Sequence, residues 1–215
     1  MTKNYKIEAC VETYEEAIKA QENGANQIEL CGRLDLDGIT PDRSLIEKCM
    51  DTLTIDIKVM IRPRGGSFKY SGQEIIQMEA DINYCKQLGV HGVVFGVLVG
   101  DILDIDKINK LAIISQPLKV TVHKAIDATA DILGETKRLT AISAHIDTIL
   151  TSGGADTAES GIDNLRKMME ICDSRINIMP AGKVTNANLL SLHKELQTTG
   201  YHGRKIVGDL SESSN

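Results

Sequence analysis

Short runs rich in Ile, Val and Leu recur along the chain. They are KIEAC (6–10), NQIELC (26–31), IKVMIR (57–62), GVVFGV (92–97), KVTVH (119–123), DTILTS (147–152), INIMPA (176–181) and RKIVG (204–208). Each has the length and bounding of a buried strand. Between most of them lie segments with helix start and stop signals. Thr13 with Glu16 forms a capping box for a helix that stops at Asn23-Gly24, and Ser71 with Glu74 forms another for a helix running towards Gly89. Asp104 caps a third. Further helices are predicted over about 131–144 and 159–173, and one from near Thr185 or Asn186. Alternating β and α leaves two architectures, a doubly wound open sheet or a closed barrel. Eight strands favour the barrel, and no GxGxxG follows the first strand to argue for a dinucleotide-binding sheet. After the eighth run only DLSESSN remains, too short and polar for a closing helix. The expected fold is therefore α/β, a (β/α) barrel of eight parallel strands in a single domain over 1–215, with its final helix short or missing. That side is left for a partner subunit to cover, unless the chain is shortened.

Composition narrows the class. Hydrophobic residues make up 42% and charged residues 25% of the 215, as in ordinary soluble proteins. Aromatics are only 3% and Trp is absent, so the core is built from Ile, Leu, Val and Ala, which suits parallel strands buried on both faces. A net charge of −6 without a basic stripe argues against a nucleic-acid partner. No run is long enough for a signal peptide or a bilayer span, so the expected setting is cytoplasmic, with no membrane partner. Cys10, Cys31, Cys49, Cys85 and Cys172 include no CxxC pair. That pattern fits reduced cytosolic thiols rather than a disulfide framework, and it lies outside the zinc-ribbon spacings. No nucleotide cofactor is expected.

In a parallel barrel the functional groups come from the carboxyl ends of the strands. Those positions gather Glu8, Glu29, Arg62 and His123 at one mouth. The first two strands end alike, in Ile7-Glu8-Ala9-Cys10 and Ile28-Glu29-Leu30-Cys31, so each Glu shares a face with its Cys. An inward carboxylate needs a cation or a hydrogen-bond donor. Arg62 offers one, as a structural ion pair to Glu8 and Glu29. Alternatively Arg62 and Arg64, with the Gly65-Gly66 turn, Phe68 and Tyr70, hold an anionic ligand. His123 has the near-neutral pKa of a general acid or base, and Asp127 follows to orient it. Thr151-Ser152-Gly153-Gly154 and Pro180-Ala181-Gly182 follow the sixth and seventh strands. Thr151, Gly153 and Gly182 are candidate contacts to an anion there, although a plain βα turn uses the same glycines. His202 lies at the opposite mouth if the last strand is 204–208, and joins the pocket if it is 198–201.

The segments IELC, MIRPRGG-x-F-x-Y, GVVFGVL, VTVHKAID, ILTSGG and HG-x-KIV follow in this order over essentially the whole chain, which resembles the CutC copper-homeostasis family. The chain departs from the family's common pattern at Val122 and Lys124, on either side of His123, and at Pro180-Ala181-Gly182, where a richer glycine cluster is usual. The resemblance implies a TIM-like barrel, a cytoplasmic setting, self-association as a homodimer and a link to copper. Cu(I) prefers soft thiolates at low coordination number. Cys10 and Cys31 sit at equivalent positions on strands about 4.8 Å apart, where two sulfurs could clasp one two-coordinate ion, although buried cysteine is also an ordinary core residue. Two functions stay open. One is a Cu(I)-binding homeostasis protein using Cys10 and Cys31. The other is a metal-independent enzyme acting on a small phosphorylated or carboxylated metabolite, in which Glu8 or Glu29 and His123 exchange protons while Arg62 and Arg64 hold the substrate.

Overall fold

Most of the strands form where β-branched and aliphatic residues cluster in short runs. The computed structural model, which describes residues 4–211, places eight of them in one sheet. They are β1 (Lys6–Val11), β2 (Gln27–Leu30), β3 (Asp56–Met60), β4 (Gly92–Phe95), β5 (Lys119–Val122), β6 (Thr148–Thr151), β7 (Asn177–Pro180) and β8 (Gly200–Gly203). Seven helices fill the intervals: α1 (Tyr14–Glu22), α2 (Arg43–Thr52), α3 (Gly72–Leu88), α4 (Ile105–Ser115), α5 (Ile132–Thr140), α6 (Ile162–Cys172) and α7 (Leu189–Leu196). A short antiparallel hairpin, Leu98–Val99 with Ile102–Leu103, lies between β4 and α4. Every ladder of the large sheet is parallel, in the order β8-β1-β2-β3-β4-β5-β6-β7. The strands curl into a nearly closed barrel. At the β7–β8 seam Thr198 Oγ1 donates to the Ile178 carbonyl, and Thr199 Oγ1 to Asn177 Oδ1 at 3.3 Å.

The period of two sorts the side chains. Ile7, Ala9, Val11, Ile28, Leu30, Val59, Ile61, Val93 and Val120 join the main core with the helices. The alternate positions fill the barrel interior, where Cys10, Cys31, Met60 and Val94 cluster apart from Leu150, Met179 and Ala181. That interior also holds buried Glu8, Gln27, Glu29, Lys58 and Thr121.

The caps of α1, α3 and α4 stand where the sequence places them. The Thr13 hydroxyl accepts from the Glu16 N–H, Ser71 and Glu74 complete a reciprocal box, and Asp104 accepts from the Lys107 N–H. Helix α2 has no counterpart among the expected helices, because its Asp42 N-cap makes no side-chain capping bond and leaves only a weak start signal. Helix α7 begins later than Thr185 or Asn186. Asn188 Oδ1 accepts the Thr185 N–H at 2.8 Å, a local turn that competes with helix.

The last strand is the main correction. It is Gly200–Gly203, two residues beyond the 198–201 alternative, and 204–208 is not a strand of the barrel. Backbone proximity explains the choice. A Cβ on Gly203 would stand 2.1 Å from the Val184 carbonyl oxygen. Among the described residues no helix follows β8, as expected. The segment 204–211 instead crosses the barrel wall with Ile206 and Leu210 buried in the main core. It is tied by Arg204 to Glu12 and by Lys19 to the Ser211 carbonyl.

Candidate functional site

The register of β8 decides the chemistry of the pocket. His202 is the ladder partner of Glu8 on β1, and Cys10 is the partner of Glu29 on β2, which pairs Lys58 on β3. Three adjacent ladders thus bring Glu8, Cys10, Glu29, Lys58 and His202 together, with Cys31 just beyond β2. Glu8 is fully enclosed. It accepts from His202 Nδ1 at 2.8 Å and from Gln27, and Lys58 Nζ lies 3.5 Å away. Burial alone would raise its carboxyl, but Lys58 and then His202 outweigh burial and hold it down at about 2. His202 is pushed the other way. Burial disfavours its charge, yet Glu29, Cys10 and Glu8 together raise it well above its ordinary value.

The two sulfurs behave as a pair. Cys10 Sγ and Cys31 Sγ are 4.0 Å apart, and Cys31 Sγ lies 3.6 Å from Glu29 Oε2. A hydrogen bond from Cys31, against the cost of burial and with help from His202, brings the Cys10 thiol down to about 5. Cys31 is raised in turn by its bond to Cys10 and by burial. Burial carries Glu29 up to about 8, opposed by His202 and supported by Cys10 and Glu8. At neutral pH the cluster therefore balances two cations, Lys58 and His202, against two anions, Glu8 and the Cys10 thiolate. The ligand atoms of Cys10, Glu29 and Cys31 all lie within 4.8 Å of one another, as do those of Glu8, Glu29 and His202.

Cys10, Glu29, Cys31 and His202 form one side of a cavity of about 310 Å³ at the carboxyl ends of the strands. Leu34, Met60 and Leu150 supply apolar lining, and Arg62, Phe68, His123 and Lys124 complete the wall with Asp37. The Phe68 ring lies 4.8 Å from the His123 ring and 4.7 Å from the Arg62 guanidinium carbon. His123 Nδ1 accepts the Ala125 N–H at 3.1 Å, which assigns the imidazole proton to Nε2. Burial, then the charge of Arg62, lowers His123 to about 3, so the ring is neutral. Glu29 Oε1, Arg62 Nε and His123 Nε2 are all buried without a hydrogen-bond partner among the described residues.

Several expected roles fall elsewhere. Arg62 does not neutralise Glu8 or Glu29. Its Nη1 donates to the carbonyls of Leu36, Asp37 and Gly38, and its Nη2 to that of Gly66. Arg62 fastens the loop after β2 and the diglycine turn, and only its Nε is left without a partner. Arg64 is spent on Glu74 at 2.5 Å and on the carbonyls of Ser67 and Lys69, with Tyr70 beneath it. Neither Arg64 nor Tyr70 lines the cavity. Asp127 does not orient His123. It accepts from the Thr151 hydroxyl at 2.5 Å and from the N–H groups of Ser152 and Gly154, locking the β6 end. Thr151, Gly153 and Gly182 serve turn geometry and do not line the cavity. Gly153 (φ 72) packs against the Gly161 backbone, and Gly182 (φ 90) against Ser152.

Two contributors were missed. Lys58 interrupts an apolar central strand, and such a lysine must meet a carboxylate, which was a usable signal. Gly96 gives the His123 ring its slot, since a Cβ there would lie 2.6 Å from Nδ1. No signal in the sequence separates it from an ordinary turn glycine.

A parallel βα barrel with a thiolate-bearing pocket at its strand ends is the class this geometry defines. The CutC family model matches residues 5–207, and the chain belongs to that family. It is 36% identical over 199 residues to the human copper homeostasis protein cutC homolog, covering 92% of this chain and 72% of that one. It is 40% identical over 190 residues to a family protein CutC of Histophilus somni, covering 87% and 77%. The solved CutC structure from Streptococcus agalactiae superposes with a TM-score of 0.87 at 28% identity, covering 94% of this chain and 99% of that one.

Proposed function

We propose that the chain binds Cu(I) in the strand-end pocket through Cys10 and Cys31, as part of copper homeostasis. The observation that carries this reading is the 4.0 Å separation of two buried sulfurs. For a metal–thiolate bond of about 2.3 Å, that separation corresponds to an S–metal–S angle of roughly 120°. At that angle the two sulfurs would hold the ion bent, with room for a third ligand, rather than in the two-coordinate clasp expected from the strand spacing. Cys10, at about 5, is already a thiolate at neutral pH, so only the Cys31 proton has to leave when the ion enters. A carboxylate is a hard ligand and a protonated imidazole is none, so Glu29 and His202 act as surroundings. They set the charge of the sulfurs without binding the ion.

The names carried by the human and streptococcal relatives support a copper role. The acid–base enzyme loses support from the geometry, because Asp127 is committed to β6 and His123 is a neutral donor rather than a base. A reducing cytoplasmic setting and self-association as a homodimer belong to the same reading. Among the described residues no helix is long and apolar enough to cross a membrane. Titration of the reduced protein with Cu(I) against a competing chelator is expected to give one tightly held ion per chain, lost in the Cys10→Ser, Cys31→Ser double variant. Unchanged affinity in that variant would overturn the assignment.

A further inference from the structure

We propose that the cavity also holds a small hydroxycarboxylate, its carboxylate taken by Arg62 Nε–H and His123 Nε2–H on the wall built from the ends of β3 and β5. This inference is separable from copper at the carboxylate end, where the two donors touch neither sulfur.

Both donors are almost fully enclosed, at 2% and 4% exposure, and both lack a partner. A buried donor left unpaired is costly, and two of them around one cavity mark where an acceptor belongs. Neither can turn away. Arg62 is pinned by four backbone carbonyls, and His123 by the Ala125 N–H, the Phe68 ring and the slot at Gly96. Lys124, partly exposed on the same wall, is already paired with Asp127 at 3.8 Å, so the two N–H donors are the groups left for an anion.

The shape of the donor set selects the anion. A phosphate wants several backbone N–H groups at a helix start or glycine turn, and the Gly153 and Gly182 turns do not line this cavity. Two side-chain N–H groups suit the two oxygens of one carboxylate. Leu34, Met60 and Leu150 suit a short carbon body. The third unpartnered atom, Glu29 Oε1, gives a hydroxyl on that body its own contact. Lactate meets all three requirements and serves as the probe, with propionate as its hydroxyl-free counterpart.

The test is calorimetric titration of the reduced, copper-free full chain with lactate, propionate and inorganic phosphate. Lactate is expected to bind, propionate more weakly, and phosphate not at all. Preference for phosphate, no binding of either carboxylate, or equal binding of the two would overturn the proposal. His123→Phe is expected to weaken lactate binding about ten- to a hundredfold, the worth of one hydrogen bond to a charged group. If that variant fails to fold, the nitrogen-15 shift of His123 Nε2 in the unaltered protein decides. It must move on adding lactate, and a stationary signal counts against the site. Cys10→Ser, Cys31→Ser must still bind lactate with the same dependence on His123, which separates failure here from failure of the copper assignment.

Discussion

Glu8 carries a charge in full enclosure, and its cost is met by groups that are themselves partly or fully buried. Lys58 at 3.5 Å and His202 at 2.8 Å depend on Glu8 as much as it depends on them. Replacing one member of such a set leaves the others uncompensated, typically at about 3–5 kcal/mol. Glu8→Gln is therefore expected to lower unfolding free energy in urea by about that amount, and a loss under about 1 kcal/mol would mean that water reaches the cluster. His123 gives a second prediction, in which pH is the variable. Its folded pKa of about 3 lies below the unfolded value of about 6.5. Between the two, the unfolded chain binds the extra proton, so stability falls as the pH drops below 6.5 and is unaffected above it. From pH 6.5 to 5 the loss from this group amounts to about 2 kcal/mol. The pH dependence of unfolding in His123→Phe, subtracted from that of the parent, should show this slope. Most of these residues were legible from strand position alone, as Glu8, Glu29, Cys10, Cys31, Arg62 and His123 all line or underlie the cavity. Their partners were not, because a charge on one strand finds its counter-charge through register, and register depends on β8, which pairs across nearly two hundred residues.

At the scale of elements, β4 and β5 cooperate through a missing side chain. Gly96 follows β4, and a Cβ there would stand 2.6–2.7 Å from the His123 ring and 2.9 Å from Ala125 Cβ. Gly96→Ala is expected to cost about 1–3 kcal/mol of stability, as overpacking does, and to displace the imidazole. Calorimetry should then show lactate binding lost and Cu(I) binding kept, because Cys10 and Cys31 stand on β1 and just after β2. Loss of both would mean that the two walls of the cavity are not separable. Elements with strong end signals, such as α1 between Thr13 and Asn23 and α3 between Ser71 and Gly89, were legible before the fold was known. Helix α2 was not, since nothing caps it, and β8 was not, since GYHG lacks the β-branched residues that mark the other strands. Gly203 there makes a backbone approach to the Val184 carbonyl that only glycine permits. RKIVG carries the stronger local preference, yet it makes only isolated bridges, Lys205 with Thr185 and Ile206 with Gly208.

For the whole molecule, the segment 204–211 packs against the barrel beyond β8. It is tied to the wall by Arg204 to Glu12, by Lys19 and Asn23 to the Ser211 and Val207 carbonyls and by the Asn186 N–H to the Lys205 carbonyl, and it buries Ile206 and Leu210 to 2% and 5% exposure. Such a closure is the weakest part of the barrel's circumference, because the adjoining β7–β8 edge rests on side-chain bonds from Thr198 and Thr199. Truncating either anchor leaves a cavity against α1 and β8 that a short strap is poorly placed to refill. Leu210→Ala and Ile206→Ala are each expected to lower unfolding free energy by about 2–5 kcal/mol. The parent should unfold in one transition, since one core cluster runs from Tyr5 to Leu210. Hydrogen exchange separates local loosening from global loss. In Leu210→Ala the amides of β8 should exchange much faster than in the parent while those of β3 to β5 change far less. Uniform acceleration around the barrel would instead show that the strap is part of the cooperative core, and that the β7–β8 seam is as strong as any ladder. The outcome bears directly on the pocket, because β8 carries His202, the imidazole that holds Glu8 and neighbours Cys10.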